Sequence, residues 1–394
     1  MREMINLARN SKFNINVNFQ KSHGLYLFDN NTRKEYLDLF GMYASLPLGY
    51  NHKIFQSKEF REEMSLASPF KINNCEFVSE GSLSFDEEFQ QFTNDNHYTS
   101  YHYTCTGALA IEAAIKTCIH RSNYKRPNVV SFRNSFHGVN GFSSFVTDHF
   151  WPVDAKLEGL PQDFSTKLNC DLVEVENHLK SNFATCVLVE PIQCSAGDIH
   201  HEKEFFQGLR MLCDKYDVPL VFDEIQVGFG GTGKLWFYQH LDILPDIVVF
   251  GKKTQLSGIM VADGYNQIFD KDQITRLQVT WDGDLLDMIR CRHIIKAYKK
   301  ESIIDKVLEK GEYIVSQLSN QPGLLNIRSA GLIMAFDLKN GETRDKIVEL
   351  LYGNGLICNK TGKKSIRLRP NLAISPEETE EVIKIINKTI RSVQ

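Results

Sequence analysis

Short apolar runs recur along the first two thirds of the chain, separated by segments with helical spacing. Four such runs are NVVSF (128–132), CVLVE (186–190), PLVFD (219–223) and DIVVF (246–250). A run that is apolar at nearly every position is typical of a strand covered on both faces of a parallel sheet. The intervening segments 108–122 and 204–217 carry apolar residues at the spacing of amphipathic helices. This alternation predicts an α/β fold with a mainly parallel, doubly wound sheet.

The pattern changes after about residue 290. The spacing predicts one long amphipathic helix, two strand-like pieces and a final helix, over residues 290–318, 332–338, 365–374 and 376–393. Near the start, GLYLFDNNTRKEYLDLF (24–40) predicts a hairpin with an Asn-Asn turn. We therefore expect a large domain over 51–288 and a smaller α+β domain over 289–394. An N-terminal segment, 1–50, is expected to pack with the smaller domain.

Composition excludes several classes of partner and site. The net charge of −4 and the pI near 6.3 give no reason to expect nucleic acid or an anionic membrane as partner. No apolar run approaches the roughly 18 residues of a membrane span, and the N-terminus lacks the apolar core of a secretory signal. The nine cysteines form no CxxC pair, which favours reduced thiols over disulfides or a metal site. We expect a cytoplasmic protein.

One glycine-rich stretch matches a nucleotide-binding pattern without its context. Residues 228–233 satisfy GxGxxG, and 228–234 satisfy most of a Walker A motif. The dinucleotide fingerprint requires a strand that turns directly into a helix, whereas DEIQV intervenes here. The Walker motif requires Ser or Thr after its lysine, and Leu235 stands there. A glycine-rich loop is the better interpretation.

Charged residues follow the buried strands. Glu190 and Asp223 end two predicted strands, and Lys252 follows a third. Paired lysines such as Lys252 and Lys253 ordinarily lie on a solvated surface. A lysine just past a buried strand end can instead be desolvated, which lowers its pKa and makes it a nucleophile for carbonyl groups. Thr106 and Gly107 precede a predicted helix, whose free N–H groups can hold an anion, although capping by Thr106 alone explains the same pattern. A carboxylate, an amine and a phosphate cradle together suit pyridoxal 5′-phosphate (PLP).

The segment VFDEIQVGFGGTGKLWFYQHLDILPDIVVFGKKTQLSGIM resembles the cofactor segment of the class III aminotransferases. These are PLP enzymes of fold type I, with a large sheet domain and a smaller α+β domain. The similarity extends over nearly the whole chain, through YLDLF, TGALAIEAAIK, SFHG, VEPIQ and RLRP. The sequence GKKTQ and the residues TW at 280–281 are most similar to lysine 6-aminotransferase.

The resemblance implies roles for the residues around the cofactor ring. Lys252 matches the catalytic lysine that forms the Schiff base and moves a proton between the substrate and cofactor carbons. Asp223, the second catalytic residue, would bind the protonated ring nitrogen, and Gln226 the phenolic oxygen. Phe136 would stack on the ring with His137 beside it.

The remaining cofactor-binding residues implied by the resemblance surround the phosphate or lie nearby. Backbone N–H groups after Thr106, at Gly107 and Ala108, would hold the phosphate. Thr280 would complete this cradle from the other subunit, because sites in this family form across a homodimer. Glu190 of VEPIQ is counted with the cofactor-binding residues.

The resemblance also marks four substrate-binding positions. Arg367 matches an arginine that binds a substrate carboxylate, and Tyr43 matches a pocket position that packing could equally explain. Where the family often has an arginine for 2-oxoglutarate, this chain has Val139; where it often has a glutamate, this chain has Ser195. These exchanges place the use of 2-oxoglutarate in doubt unless a cation such as Arg133 substitutes.

The resemblance implies an aminotransferase that moves an amino group to a keto acid or aldehyde. The terminal amine of a lysine-like diamino acid is the candidate donor, with a ping-pong reaction through Lys252. Two alternatives stay open from the sequence: a PLP-dependent decarboxylase or racemase on the same fold, and a catalytically silent binding protein. Dependence of the reaction on a keto acid would separate the first alternative from transamination.

Overall fold

The computed structural model of the chain describes residues 13–393, except for 14, 72, 74–76, 94–95, 124, 126–127, 150–161, 182–183 and 271–275. Part of the predicted N-terminal segment therefore lies outside the described residues, and so does the whole of Cys75. The strands are β1 (Tyr26–Asp29), β2 (Lys34–Asp38), β3 (Tyr98–Thr104), β4 (Asn128–Phe132), β5 (Ser165–Leu168), β6 (Ala184–Val189), β7 (Ile192–Gln193), β8 (Ile199–His200), β9 (Leu220–Asp223), β10 (Ile247–Phe250), β11 (Ser257–Ala262), β12 (Leu325–Ala330), β13 (Ile333–Asp337), β14 (Leu356–Ile357), β15 (Asn359–Thr361) and β16 (Ser365–Leu368).

The helices connect these strands. They are α1 (Gly41–Ala44), α2 (Lys58–Ala67), α3 (Glu80–Thr93), α4 (Gly107–Arg121), α5 (Gly141–Val146), α6 (Leu172–Leu179), α7 (Lys203–Tyr216), α8 (Tyr238–Leu241), α9 (Leu285–Glu301), α10 (Val307–Ser319), α11 (Gly341–Gly353) and α12 (Pro376–Arg391). Within the described part of the chain, no helix is both long and apolar enough to cross a membrane.

A seven-stranded sheet forms the centre of the molecule, in the order β3-β11-β10-β9-β6-β4-β5. The pairs from β10 to β5 are parallel, whereas β11 runs antiparallel to both of its neighbours. The carboxyl ends of β3, β4, β6, β9 and β10 therefore lie at one edge. Ligands of such sheets bind beyond this edge. The predicted α/β fold is confirmed.

Burial on both faces explains why the strand sequences lack alternation. In β10, Ile247 and Val249 pack with α4 on one side, while Val248 and Phe250 join the core that includes α7 on the other. All four side chains are fully buried. Each such side chain stabilises the fold by about 1.5–3 kcal/mol as an upper bound. A polar side chain at any of these positions would be buried without a hydrogen-bond partner, at a large desolvation cost.

Smaller sheets flank the central one. The order β12-β13-β16-β15 is antiparallel, and β1 and β2 form the predicted hairpin, which β14 extends by pairing parallel to β2. The N-terminal region contacts the C-terminal region through Leu25, whose N–H donates to Glu378 at 2.7 Å. A second link is the N–H of Arg369, which donates to the carbonyl of Leu39 at 2.8 Å. The domain boundaries given above stay a prediction.

Two predictions about the C-terminal half were wrong in extent. The long helix over 290–318 is two helices, because Ser302 takes a left-handed conformation (φ 49°) that ends α9. The strand over 365–374 covers only the first four residues, since Pro370 cannot donate a ladder hydrogen bond. The chain beyond β16 is irregular and reaches α12 through a capping box at Ser375 and Glu378.

The glycine-rich stretch 228–234 is a loop of turns between β9 and α8, as predicted. A Cβ atom at Gly228 would lie 2.7 Å from the ring of Trp236, which is fully buried. Glycine at this position therefore serves close packing.

Candidate active site

A cavity of about 420 Å³ lies at the carboxyl edge of the central sheet. Volumes of this size are typical of small-molecule sites. Its lining brings together strand ends that are far apart in sequence. The lining residues are Ser45, Cys105, Thr106, Gly107, Ala108, Phe136, His137, Gly138, Val139, Glu190, Ile192, Ser195, Asp223, Ile225, Gln226, Val227, Lys252, Gln255 and Ser257.

Lys252 lies in this cavity, two residues beyond the end of β10. Its backbone takes a left-handed conformation with φ 56°, and its carbonyl accepts from the N–H of Gln255 at 2.8 Å. Non-glycine residues rarely adopt this conformation, and such strained residues are enriched at functional sites. Burial lowers the pKa of Lys252 to about 8, and the positive charge of Arg367 acts in the same direction. The neutral form of this amine is therefore more abundant near physiological pH than that of an ordinary lysine.

Asp223 ends β9 with a buried carboxylate that is only 6% exposed. Its Oδ2 lies 2.8 Å from Nδ1 of His137, and its Oδ1 accepts from the N–H of Ile225 at 3.1 Å. A carboxylate only accepts hydrogen bonds, so the proton lies on Nδ1 of His137. This pair holds Asp223 in place while its carboxylate still borders the cavity. The sequence predicted His137 beside the cofactor ring but not its contact with Asp223.

Glu190 follows β6 and connects the cavity wall to Phe136. Its Oε1 accepts from the N–H of Phe136 at 2.7 Å, so the carboxyl group fixes the loop that carries the predicted stacking ring. Burial raises the pKa of Glu190 well above its usual range, and the nearby charge of Asp223 adds to the shift. A protonated Glu190 avoids two adjacent buried negative charges.

The N-terminus of α4 opens into the cavity. The side chain of Thr106 makes no capping hydrogen bond, so capping alone does not explain this residue. The first N–H groups of any helix have no partner within it, and the helix dipole favours an anion beside them. A Cβ atom at Gly107 would approach Ile225 to 2.8 Å, which accounts for the glycine. Gly107 and Ala108 thus present backbone donors to the cavity.

Arg367 lies on β16 and is not among the residues that line the cavity; only 6% of it is exposed. One terminal nitrogen donates to the carbonyl of Cys194 at 3.0 Å. The guanidinium also lies 5.9 Å from the ring centroid of Tyr43, which is half-exposed and has φ 59°. The structure therefore brings together the two predicted substrate residues Arg367 and Tyr43.

Val139 and Ser195 both line the cavity, as the substrate prediction requires. The suggestion that Arg133 supplies a replacement cation is not supported, because Arg133 is largely exposed and pairs with Asp148 at 3.4 Å. Thr280 is exposed and is not among the residues that line this cavity. Its predicted role from a second subunit stays a prediction.

Lys253 and Glu224, which follow Lys252 and Asp223 in the sequence, point away from the cavity. Lys253 is buried and donates to the backbone carbonyl of Gln226 rather than lining the cavity. Glu224 accepts from the N–H groups of Phe237 and Tyr238 at 2.7 and 2.9 Å. The expectation that Glu224 turns toward polar backbone groups is confirmed.

Several residues of the site were missed in the sequence. Ser45, Cys105, Gln255 and Ser257 line the cavity, and Arg369 contacts Gln226 from outside it. Arg369 stands two residues after Arg367, so both fall on the same side of an extended chain. That spacing of two residues was the sequence signal that could have identified Arg369. The sequence gives no comparable signal for the other four missed residues.

The described groups fit PLP. The cavity offers a buried carboxylate for a protonated ring nitrogen, an amine whose pKa is lowered, and helix N–H groups for a phosphate. These three requirements are chemically distinct, and one cavity meets all of them.

Comparison with known proteins agrees with this chemistry. The family described as "Aminotransferase class-III" matches residues 7–390. An L-lysine-epsilon aminotransferase of Mycobacterium tuberculosis is 31% identical over 95% of this chain and 91% of its own length. One from Streptomyces clavuligerus is 30% identical over 97% and 92%. The structure of "lysine aminotransferase from M. tuberculosis in the internal aldimine form" superimposes with a TM-score of 0.89, at 29% identity over 99% and 97% of the two chains. The chain belongs to the class III aminotransferases and is a PLP-dependent transaminase.

Proposed function

We propose that this enzyme takes the terminal amine of a lysine-like diamino acid and transfers it to a keto acid or aldehyde. The observation that carries the proposal is the incomplete pairing of Arg367. Its Nε has no hydrogen-bond partner among the described residues, although the side chain is 90% or more buried. A buried donor without an acceptor is costly. A substrate carboxylate would satisfy it, since guanidinium and carboxylate match in geometry.

The cavity wall favours a substrate with an apolar middle. The positive charge of Arg367 lowers the pKa of Lys252, so Arg367 also acts on the reactive amine. Val139 and Ile192 give part of the wall an apolar character. A substrate with a carboxylate at one end and an amine at the other, joined by methylene groups, suits such a wall. The names of the lysine-epsilon aminotransferase relatives agree with this class of donor.

Replacing Arg367 with alanine will lower kcat/KM for amino acid donors about 10- to 150-fold, the loss of a charged hydrogen bond worth roughly 1.5–3 kcal/mol. Amines without a carboxylate will lose little, because they do not use this contact. Steady-state kinetics with lysine and with an alkyl diamine measure the difference. Equal losses for both donors would contradict the carboxylate role.

The acceptor is expected to carry one carboxylate. Among the described residues that line the cavity, Lys252 is the sole lysine or arginine. Arg367 is the anchor proposed above for one carboxylate, so a second carboxylate would find no further cation among these residues. Val139 is half-exposed at the cavity and cannot pair with a second carboxylate. A dicarboxylic acceptor would bring a negative group to an uncharged wall. We therefore favour a 2-oxo monocarboxylate or an aldehyde over 2-oxoglutarate.

Each residue around the cofactor is expected to have a separate role in the reaction. Bound PLP supplies an electron sink for the carbon that carries the amine. Lys252 is expected to move a proton at its Nζ, and its lowered pKa suits that exchange near neutral pH. Asp223, held by His137, is expected to keep the ring nitrogen protonated. The N–H groups at the start of α4 are expected to orient the phosphate.

The pH dependence of cofactor loading follows from Lys252. The pKa of this amine falls from 10.5 to about 8, so the reactive neutral form is scarce below that pH and dominates above it. The rate at which the apoenzyme binds PLP covalently will rise as the pH approaches about 8 and then level off. Stopped-flow absorbance measures this rate, with α-N-acetyl-lysine in solution as a control for the titration of PLP itself. A rise that continues to the pKa of ordinary lysine would contradict the assignment.

The enzyme is expected to be a cytoplasmic homodimer. A groove between α2, α3 and α9 exposes Leu66 and Phe70 beside Leu285 and Ile289, which is unusual for an unpaired surface. Thr280 and Trp281 lie exposed at the end of the segment that precedes α9. Sedimentation equilibrium gives the mass directly, and a fully active monomer would contradict the shared site.

A substrate panel tests the proposed function as a whole. The purified enzyme is mixed with single donors, and conversion of the cofactor from its aldehyde to its amine form is followed by absorbance. Lysine or ornithine should convert it faster than alanine, and pyruvate should restore it faster than 2-oxoglutarate. Rapid restoration by 2-oxoglutarate would contradict the acceptor proposal, while lack of conversion by any diamino acid would contradict the donor proposal.

A further inference from the structure

The carboxamide of Gln226 has a fixed orientation. Its Oε1 accepts from Nε of Arg369 at 3.2 Å. A guanidinium has donors and no acceptor, so it can pair only with the oxygen of the carboxamide and not with its nitrogen. Gln226 also lines the cavity. The amide nitrogen is therefore the donor that Gln226 can present to a ligand.

Arg369 is itself rigidly held. It is 2% exposed, and one terminal nitrogen donates to Oδ1 of Asp198 at 2.6 Å. The other donates to the carbonyls of Met334 and Leu368, both at 3.0 Å. Asp198 is fully buried. All three nitrogens of Arg369 thus have partners, and the guanidinium cannot rotate without breaking several buried hydrogen bonds.

The contact joins three distant parts of the chain. Gln226 follows β9 of the central sheet, Asp198 precedes β8, and Arg369 follows β16. The backbone of Gln226 is held separately, because its carbonyl accepts from Nζ of Lys253. One cation therefore fixes the main chain of Gln226 and another fixes its side chain. A residue needed only for packing would not require both.

We propose that Arg369 and Asp198 are positioning residues, which turn the amide nitrogen of Gln226 toward the phenolic oxygen of bound PLP and so set the protonation of the bound cofactor. The inference rests on the proposed function and on the predicted role of Gln226. A donor at that oxygen stabilises the form of the cofactor that has lost its proton. Removing or misdirecting the donor raises the pH at which the bound cofactor titrates.

The test is a pH titration of the visible absorption of the purified holoenzyme. Arg369→Lys keeps the charge and removes the planar fork. We expect its midpoint to rise by about 0.5 to 1 pH unit, the size of one hydrogen bond. Gln226→Ala should shift the midpoint at least as far, and the double variant no further than Gln226→Ala alone. Arg210→Lys is the matched control, because Arg210 pairs with Asp246 at 2.9 Å outside the cavity; it should titrate like the wild type.

A wild-type midpoint for Arg369→Lys, or additive shifts in the double variant, would overturn the proposal. If Arg369→Lys does not fold, Asp198→Asn decides the matter, since it keeps the shape and removes the charge that holds Arg369; an unshifted midpoint overturns the proposal. Failure of the proposed function looks different. In that case no diamino acid converts the cofactor of the wild type from its aldehyde to its amine form, while the titration midpoints keep the order given above.

Discussion

Replacing Lys252 with alanine will abolish the visible band of the covalently bound cofactor and lower kcat by at least about 10³-fold. The expected loss is large because, in the proposed function, one amine would both hold the cofactor and move the proton, and proton transfer alone contributes about 10²- to 10⁴-fold. The amine is suited to both tasks, since burial lowers its pKa to about 8. Absorbance spectroscopy of the purified protein and single-turnover kinetics measure the two effects.

The adjacent lysine provides the control. Lys253 is also buried, but its amine binds the carbonyl of Gln226 away from the cavity. Lys253→Ala should keep the visible band, although the protein will be less stable, because a backbone carbonyl loses its buried partner. Loss of the band in Lys253→Ala with retention in Lys252→Ala would show that the second lysine, not the first, carries the cofactor.

Replacing Asp223 with asparagine will lower kcat roughly 150- to 5,000-fold. The exchange keeps the shape of the side chain and removes a buried negative charge that is proposed to pair with the ring nitrogen of PLP. Loss of one member of a buried ion pair costs about 3–5 kcal/mol. His137 also loses its charged partner, since its Nδ1 lies 2.8 Å from the carboxylate. Steady-state kinetics and the dissociation constant for PLP measure the loss.

Asp246→Asn is the matched control for this substitution. Asp246 is as buried as Asp223, at 6% exposed, but it pairs with Arg210 and the N–H of Leu220 outside the cavity. It should reduce thermal stability and leave the affinity for PLP unchanged. Comparable losses of PLP affinity in both variants would mean that Asp223 acts through folding alone.

The central sheet was predictable because burial acts on both faces of each strand. Val248 and Val249 face opposite cores, so both positions are apolar and the run is visible in the sequence. The break at Ser302 was not predictable in the same way, since the apolar spacing continues from α9 into α10. A single left-handed residue ends the helix there, and serine carries no strong signal for that conformation.

Some residues of the candidate site were predictable from the sequence and others were not. Asp223 and Lys252 are recognisable in the sequence because a charge at the end of a buried strand is costly unless it has a partner. Arg369 and Asp198 do not stand out, since they come from segments 171 residues apart that meet only in three dimensions. Thr106 was ambiguous in the sequence between capping and an open helix end. The absence of a capping bond from its side chain favours the open end.

The left-handed backbone at Lys252 bears on any attempt to make this enzyme more heat-resistant. Glycine adopts that conformation without strain, so a glycine at this position would raise the free energy of unfolding by about 1 kcal/mol. The same substitution would remove the reactive amine. Stability and reactivity thus compete at a single residue. Consensus or ancestral substitutions that raise the melting temperature should be sought on exposed helix faces, where this competition does not arise.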